Sequence, residues 1–258
     1  MYPIEMHSVS EEFFRCWQAA GRHIERQIQG PLLGWIKASL MSPFLEHLSF
    51  RLGNQLFFVR IEDVNQQLEV PGNANGLLAV AEGCNGHPCI MPMRLRHGSW
   101  EPDAPGWGLR DVRSGKSVDP GLLVSDEKIE MTDWELLDLA VQIVREHLEA
   151  SGRKFISWTS HPGVNPSIWF KGDSGPEWVV VRAARYPQRR ANSPEDWHEI
   201  SQRCAQFGDT GYFASVSIAN AKDAFNVSGG VPPMPLWRGY PMLARFEGLE
   251  PGAPRHIT

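Results

Sequence analysis

Residues 132–186 read TDWELLDLAVQIVREHLEASGRKFISWTSHPGVNPSIWFKGDSGPEWVVVRAARY, and this stretch predicts one helix followed by three strands. Thr132 and Glu135 stand three residues apart ahead of an apolar run, which is the pattern of a capping box, and Gly152 closes the helix. The run WVVV is rich in β-branched residues and predicts a buried central strand. The three strands are expected at residues 154–159, 167–171 and 178–184.

The rest of the chain adds elements on both sides of this stretch. Ser193 and Pro194 predict the start of a later helix that Gly208 ends. Beyond it we expect a strand at 212–218, a short helix at 220–225 and a strand at 240–247. Before the stretch we expect helices at 8–29, 32–41 and 76–82, a hairpin turning at Gly53-Asn54, a strand at 90–95 and a small hairpin around 114–116. The sequence shows no internal repeat.

These elements predict an α/β (α+β) fold in which a mixed β-sheet is flanked by helices. The C-terminal half supplies an αβββαβ core, and the N-terminal half supplies a helical and β-hairpin region. Residues 97–125 form a long irregular segment rich in Gly, Pro, Asp and Ser. Such a segment is a natural place for a boundary, so we expect an N-terminal region at 1–125 and the core at 126–258.

Charge and composition limit the classes of function. The net charge is −5 and the pI is near 6.0, which argues against a broad electrostatic contact with nucleic acid. The N-terminus lacks the basic and apolar regions of a signal peptide, and no window is long and apolar enough for a membrane helix. The four cysteines show no disulfide spacing, so free thiols in a reducing cytoplasm are expected.

Aromatic and basic residues supply the candidate binding residues. The chain holds ten Trp, and Trp100 and Trp107 lie in the irregular segment. Trp combines a large apolar surface with one N–H donor, which suits it to interfaces as well as to cores. Arg182 and Arg185 are the basic candidates, because a guanidinium group binds carboxylates and phosphates.

The order helix, three strands, helix, strand resembles the αβββαβ core of the PD-(D/E)XK nuclease-like superfamily. Active members carry an acid on the first helix, Pro-Asp on the second strand and (D/E)-x-K on the third, and the carboxylates hold a divalent cation. Here Glu135 falls at the first acid, and Ser167 follows Pro166 where the metal-binding Asp would stand. Val180 and Arg182 occupy the acid and Lys positions. The resemblance therefore implies a degenerate, inactive core that has lost its metal ligands.

A divergent metal site is the first enzymatic alternative. Asp173 and Glu177 lie in the turn before the third strand, where they would act as migrated acids. Together with Glu135 they would supply carboxylate oxygens for a divalent cation. Arg182 would then bind phosphate, since it cannot lose a proton near neutral pH.

A hydrolase triad and a zinc site are the other chemical alternatives. His161 follows Ser160 in a predicted turn near Asp173, which would complete a Ser-His-Asp triad, but no G-x-S-x-G elbow accompanies the pair. Cys84, His87 and Cys89 have the spacing of three metal ligands, whereas a structural zinc site needs four. No nucleotide-binding glycine motif occurs, so no cofactor is expected.

The sequence therefore favours a non-catalytic, cytoplasmic protein that binds another protein. A specific form of this expectation is an immunity- or antitoxin-type inhibitor, because an acidic surface suits a basic toxin. A divergent metal-dependent nuclease or another hydrolase is the alternative. A nucleic-acid binder that uses Arg182 and Arg185 is a third reading, which the net charge disfavours.

Overall fold

A computed structural model describes residues 10–28, 48–71, 73–223, 225 and 232–252. The predicted helix at 32–41 lies outside these residues. The chain forms two compact units, Met1–Lys128 and Ile129–Thr258. Each unit has its own mixed β-sheet and its own helices, so the predicted α+β class is confirmed.

The N-terminal unit contains a sheet of six strands. Its elements are α1 (Glu11–Gln27), β1 (Leu48–Leu52), β2 (Gln55–Asp63), α2 (Ala74–Gly83), β3 (His87–Arg96), β4 (Ser99–Pro102), β5 (Leu109–Asp111), β6 (Ser117–Val118) and α3 (Pro120–Leu123). The strand order is β1-β2-β3-β5-β6, with β4 also paired to β3. Strands β1 and β2 form the predicted hairpin, and β3 runs parallel to β2.

The C-terminal unit contains a second six-stranded sheet. Its elements are α4 (Asp133–Ala150), β7 (Lys154–Trp158), β8 (Ile168–Lys171), β9 (Pro176–Arg185), α5 (Trp197–Ala205), β10 (Thr210–Asn220), β11 (Met242–Phe246) and β12 (Glu250–Pro251). The strand order is β11-β10-β9-β8-β7, with β12 also paired to β10. The strand with the WVVV run, β9, is central and its valines are fully buried, as predicted.

Two details of the C-terminal unit differ from the sequence prediction. Helix α5 begins at Trp197 rather than near Ser193, because Pro194 starts a turn. In this turn the Pro194 carbonyl accepts a hydrogen bond from the Trp197 N–H. The predicted helix at 220–225 is a turn in its described part. There the Asn220 side chain accepts from the Lys222 N–H, and this local bond competes with helix formation.

The two units share much of their topology, although β6 and α3 of the N-terminal unit and β7 of the C-terminal unit have no counterpart among the described residues. In each, a long helix precedes an antiparallel pair (β1–β2 and β8–β9), a short helix (α2 and α5) and a strand parallel to the second member of the pair (β3 and β10). Two short strands then pair with the outer side of that last strand: β4 with the C-terminal part of β3 and β5 with its N-terminal part, and likewise β11 and β12 on β10. The chain therefore contains a structural repeat, although its sequence shows none.

The repeat extends to individual residues. The long helices bury five residues at identical spacing against their sheets: Phe13, Cys16, Trp17, Ala20 and Ile24 on α1, and Leu137, Ala140, Val141, Val144 and Leu148 on α4. The strand registers match as well, because the pair Phe50–Phe57 corresponds to Ile168–Val179, and Phe57–His87 corresponds to Val179–Tyr212. The same alignment pairs Ser49 with Ser167, Arg60 with Arg182 and Gly86 with Gly211.

The matched glycines provide a test of this close packing. A Cβ at Gly211 would lie 2.2 Å from the buried ring of Trp178, and one at Gly86 would lie 2.6 Å from the ring of Phe58. We expect Gly211→Ala and Gly86→Ala each to lower the free energy of unfolding by about 1–3 kcal/mol, as overpacking does. Urea denaturation measures the change. Gly83→Ala is the control, since a Cβ there meets nothing within 4 Å; an equal effect at Gly83 would contradict the steric argument.

Candidate functional site

The carboxylate of Glu135 is buried and makes hydrogen bonds to residues of its own unit. Its Oε1 accepts from Arg238 Nε at 2.8 Å, and its Oε2 accepts from Arg238 Nη2 at 2.9 Å. The same Oε2 accepts from the backbone N–H of Thr132 at 2.9 Å, which completes the predicted capping box of α4. Both carboxylate oxygens are therefore used, and the negative charge of Glu135 is balanced by a fully buried cation.

Arg238 and Arg185 hold the segment that precedes α4. The Arg238 N–H donates to the carbonyl of Ile129, and the Met131 N–H donates to the carbonyl of Leu236. Arg185, which the sequence proposed as a binding residue, donates to Glu130 at 2.7 Å and to the carbonyl of Met131 at 2.7 Å. These contacts assign both arginines a role in fixing the start of α4.

The third strand of the nuclease-like pattern divides its side chains between two faces. Val179 and Val181 pack in the core that α4 covers. Trp178 and Val180 pack on the opposite face with residues of α5. Because side chains alternate along a strand, Arg182 faces the α5 side too. The pattern's first acid belongs to α4, whereas position 180 lies on the face that α5 covers.

Ser167 and Arg182 make hydrogen bonds to neighbouring strands and loops. The Ser167 hydroxyl accepts from the Val181 N–H at 3.1 Å. Arg182 Nη1 donates to Asn165 Oδ1 at 3.1 Å and to the carbonyl of Val181 at 2.9 Å, and burial lowers the pKa of its guanidinium. Its counterpart in the other unit, Arg60, likewise donates to a carbonyl, that of Pro71, at 2.7 Å. Both arginines therefore donate hydrogen bonds within their own unit.

Asp173 and Glu177 lie at the far end of β9 from Glu135. Asp173 binds Arg153, just beyond the C-terminus of α4, at 2.7 Å. Glu177 accepts from the Tyr212 hydroxyl at 3.1 Å; burial first and this bond second raise the pKa of Tyr212. Strand β9 spans about 26 Å between Glu177 and its last residue, which contacts the start of α4. The three acids of the divergent metal site are therefore not brought together.

Ser160, His161 and Asp173 do not form a triad. The Ser160 hydroxyl is buried and donates to Asp138 on α4. His161 is exposed, and its Nδ1 accepts from the Gly163 N–H within the turn. The pairing of Asp173 with Arg153 leaves each member of the predicted set in a separate contact.

The Cys84, His87 and Cys89 set is built into the N-terminal unit. Cys89 belongs to the core under α1, where burial raises the pKa of its thiol to about 12. His87 Nε2 lies 2.9 Å from Gln55 Oε1, and its ring stacks on Phe57. Within the described ranges, no three His, Cys, Asp or Glu residues form a group that could hold a metal ion.

Trp100 and Trp107 are half-buried against the core of the N-terminal unit. The Trp100 indole N–H donates to Glu12 on α1. The Trp107 ring stacks on Phe50, with the ring centroids 6.2 Å apart. Both rings therefore have partners inside the unit. Their role in binding another molecule stays a prediction.

A different surface exposes aromatic residues. Phe207, just after α5, is 64% exposed and meets Trp169 of β8 edge to face at 6.1 Å between ring centroids. The strand register pairs Trp169 with Ser157 of β7, and the residue before Ser157, Ile156, lies at a β-bulge and is 41% exposed. Lys154 and Lys171 pair directly across β7 and β8 and are both exposed. The name Trp169 patch is used below for Phe207, Trp169, Ile156, Lys154 and Lys171.

Sequence reasoning did not single out this patch. The alternation of Ser167, Trp169 and Lys171 along one strand was a usable signal, because it places Trp169 on a face that also carries a charge. The exposure of Phe207 had no local signal, since it depends on how far α5 covers the sheet.

A comparison with known protein families matches part of the chain to a family model. Residues 134–251 match the family described as a domain of unknown function (DUF8840). The matched range runs from α4 to β12, which is one copy of the repeated unit. No curated protein and no solved structure matches the chain significantly. Among the described residues, no helix has the length and apolar character needed to cross a membrane.

Proposed function

We propose that this protein binds another protein and performs no chemistry itself. The buried pair of Glu135 with Arg238 carries the proposal, because it commits the first acid of the nuclease-like pattern to the fold. The remaining candidate acids lie at the other end of β9 in contacts of their own. Support for a binding role comes from the exposed aromatic residues of the C-terminal unit.

A cytoplasmic location is part of the proposal. None of the four cysteines forms a disulfide, and all four are buried. Cysteines outside disulfides suit a reducing compartment, where disulfides are rare. An immunity- or antitoxin-type inhibitor is the specific form that the sequence suggested. In that case the captured partner should be toxic when produced alone, and co-production of this protein should relieve the toxicity.

Native affinity capture tests the proposed function. The tagged full-length protein should retain one partner protein in about a one-to-one ratio from a lysate of its source cells. In parallel, titration with Mg²⁺, Mn²⁺ and Zn²⁺ should leave the thermal midpoint unchanged. A metal-dependent rise in that midpoint, abolished by Asp173→Asn or Glu135→Gln, would favour the divergent nuclease instead. Failure to retain any stoichiometric protein would count against binding.

A further inference from the structure

The repeat separates residues that the fold requires from residues that it does not. At the matched positions Arg60 and Arg182, the same residue type donates to a backbone carbonyl in each unit, that of Pro71 and that of Val181. The register of β1 and β2 places Arg51 at the position that Trp169 occupies in the C-terminal unit. The shared topology therefore forms without an aromatic residue there, and the Trp169 patch is specific to one copy.

The apolar part of the patch has the character of a protein interface. Aromatic side chains bury a large area with few rotatable bonds, and they are enriched among the residues that dominate binding energies. Trp169 is half-buried against Trp178 and α5, so its ring is held in place before any partner arrives. Phe207 extends this rigid base into solvent, with most of its side chain exposed.

The charge of the patch is opposite to that of the whole chain. Lys154 and Lys171 face each other across two strands, an arrangement of like charges that disfavours the sheet. Arg203 is exposed one helical turn before Phe207, and Asp209 is the exposed acid that follows it. A carboxylate placed between the two lysines would relieve their repulsion. The local chemistry therefore fits a negatively charged partner.

We propose that the Trp169 patch binds an acidic protein segment that carries aromatic or aliphatic anchor residues. This proposal rests on the proposed protein-binding function. The anchors pack on Phe207, Trp169 and Ile156, while carboxylates of the segment bind Lys154 and Lys171. The β-bulge and Lys154 disfavour addition of a strand to the edge of β7, so the segment lies on the face of the sheet.

A nucleic acid fits this surface less well than an acidic protein segment does. Bases stack on the flat faces of aromatic rings. Here Trp169 and Phe207 meet at an interplanar angle of 86°, so they do not form a parallel platform. The net charge of −5 also opposes a long polyanion, whereas a short acidic segment contacts only the local cations.

Peptide selection tests the proposal before any natural partner has been identified. A random peptide library displayed on phage is selected on the immobilised full-length protein and counter-selected on the Phe207→Ala/Lys171→Glu variant. We expect the enriched peptides to combine several Asp or Glu residues with an aromatic or aliphatic anchor. Fluorescence polarisation with one enriched peptide should show binding about tenfold weaker for Phe207→Ala. Lys154→Glu or Lys171→Glu should weaken binding about three- to tenfold, less so at high salt.

Matched controls separate the patch from general effects of mutation. Leu243→Ala removes an exposed apolar side chain elsewhere in the unit, and Lys116→Glu makes the same charge change in the other unit. Both should bind the peptide as the wild type does. Lys171→Glu faces Lys154, so it should not destabilise the sheet. A fall in the thermal midpoint for Phe207→Ala as large as that for Gly211→Ala would assign Phe207 to internal packing and overturn the proposal.

The remaining outcomes are also decisive. Enrichment of basic peptides, or of none that distinguish wild type from variant, would overturn the patch proposal. So would a single-stranded oligothymidine whose binding is lost in the same variants, because that result identifies a nucleic-acid surface. If native capture retains a partner equally with wild type and patch variants, the protein-binding function stands and only the patch assignment fails.

Discussion

Glu135→Gln is expected to lower the free energy of unfolding by about 3–5 kcal/mol, because it leaves the charge of Arg238 buried without its counter-ion. The amide can still accept from the Thr132 N–H, so most of the loss comes from the ion pair rather than from the helix cap. Urea denaturation followed by circular dichroism measures the change. A metal-ligand role would instead predict loss of cation binding with little effect on stability.

A matched substitution and a double variant show the source of this effect. Glu130→Gln removes a half-exposed acid that pairs with Arg185, and it should cost about 1 kcal/mol or less. Replacing Glu135 by Gln together with Arg238 by Met should recover most of the stability lost in Glu135→Gln, because no buried charge is left unpaired. Equal effects of Glu135→Gln and Glu130→Gln would show that the buried pair does not stabilise the fold.

Val180→Glu places an acid at the position that matches the (D/E)-x-K pattern, and it is expected to destabilise the protein by about 3–5 kcal/mol at neutral pH. Val180 is fully buried beside Ile200 and Cys204, so the new carboxylate would lose its water. Burial raises the pKa of such a group above its unfolded value. The folded state then binds the proton more tightly, so the variant should gain stability as the pH falls and lose it as the pH rises.

The pH series is the measurement that identifies the cause. Leu243→Glu introduces the same charge at an exposed position on β11, and it should change stability by no more than about 1 kcal/mol with little pH dependence. A rise in the thermal midpoint of Val180→Glu on addition of Mg²⁺ would contradict this account. It would show that the α5 face can assemble a cation site after all.

Local signals predicted several elements of both units. The capping box of Thr132 and Glu135 and the turn Gly53-Asn54 depend on residues close in sequence, so they are readable without a structure. The burial of the β9 valines was predictable for the same reason, because a run of β-branched residues is typical of a buried strand.

The chemistry of Glu135 was not readable in the same way. Its partner Arg238 lies 103 residues away, in a stretch with no signal of burial. The sheet face on which Val180 lies was also not predictable, since a continuous apolar strand has no polar alternation that would show which of its sides packs against which helix. The repeat is not visible in the sequence, because its matched positions hold different apolar residues. Phe57 and Val179, for example, differ in type but both pack in the core of their unit.

The separation of Glu135 and Arg238 has a consequence during synthesis. A ribosome that adds about 5–20 residues per second needs roughly 5–20 s to produce the 103 residues between them. Throughout that interval the carboxylate at the start of α4 has no cation to bury with. The N-terminal unit can complete its fold while the second is still being translated, whereas the C-terminal unit must wait until Arg238 has emerged.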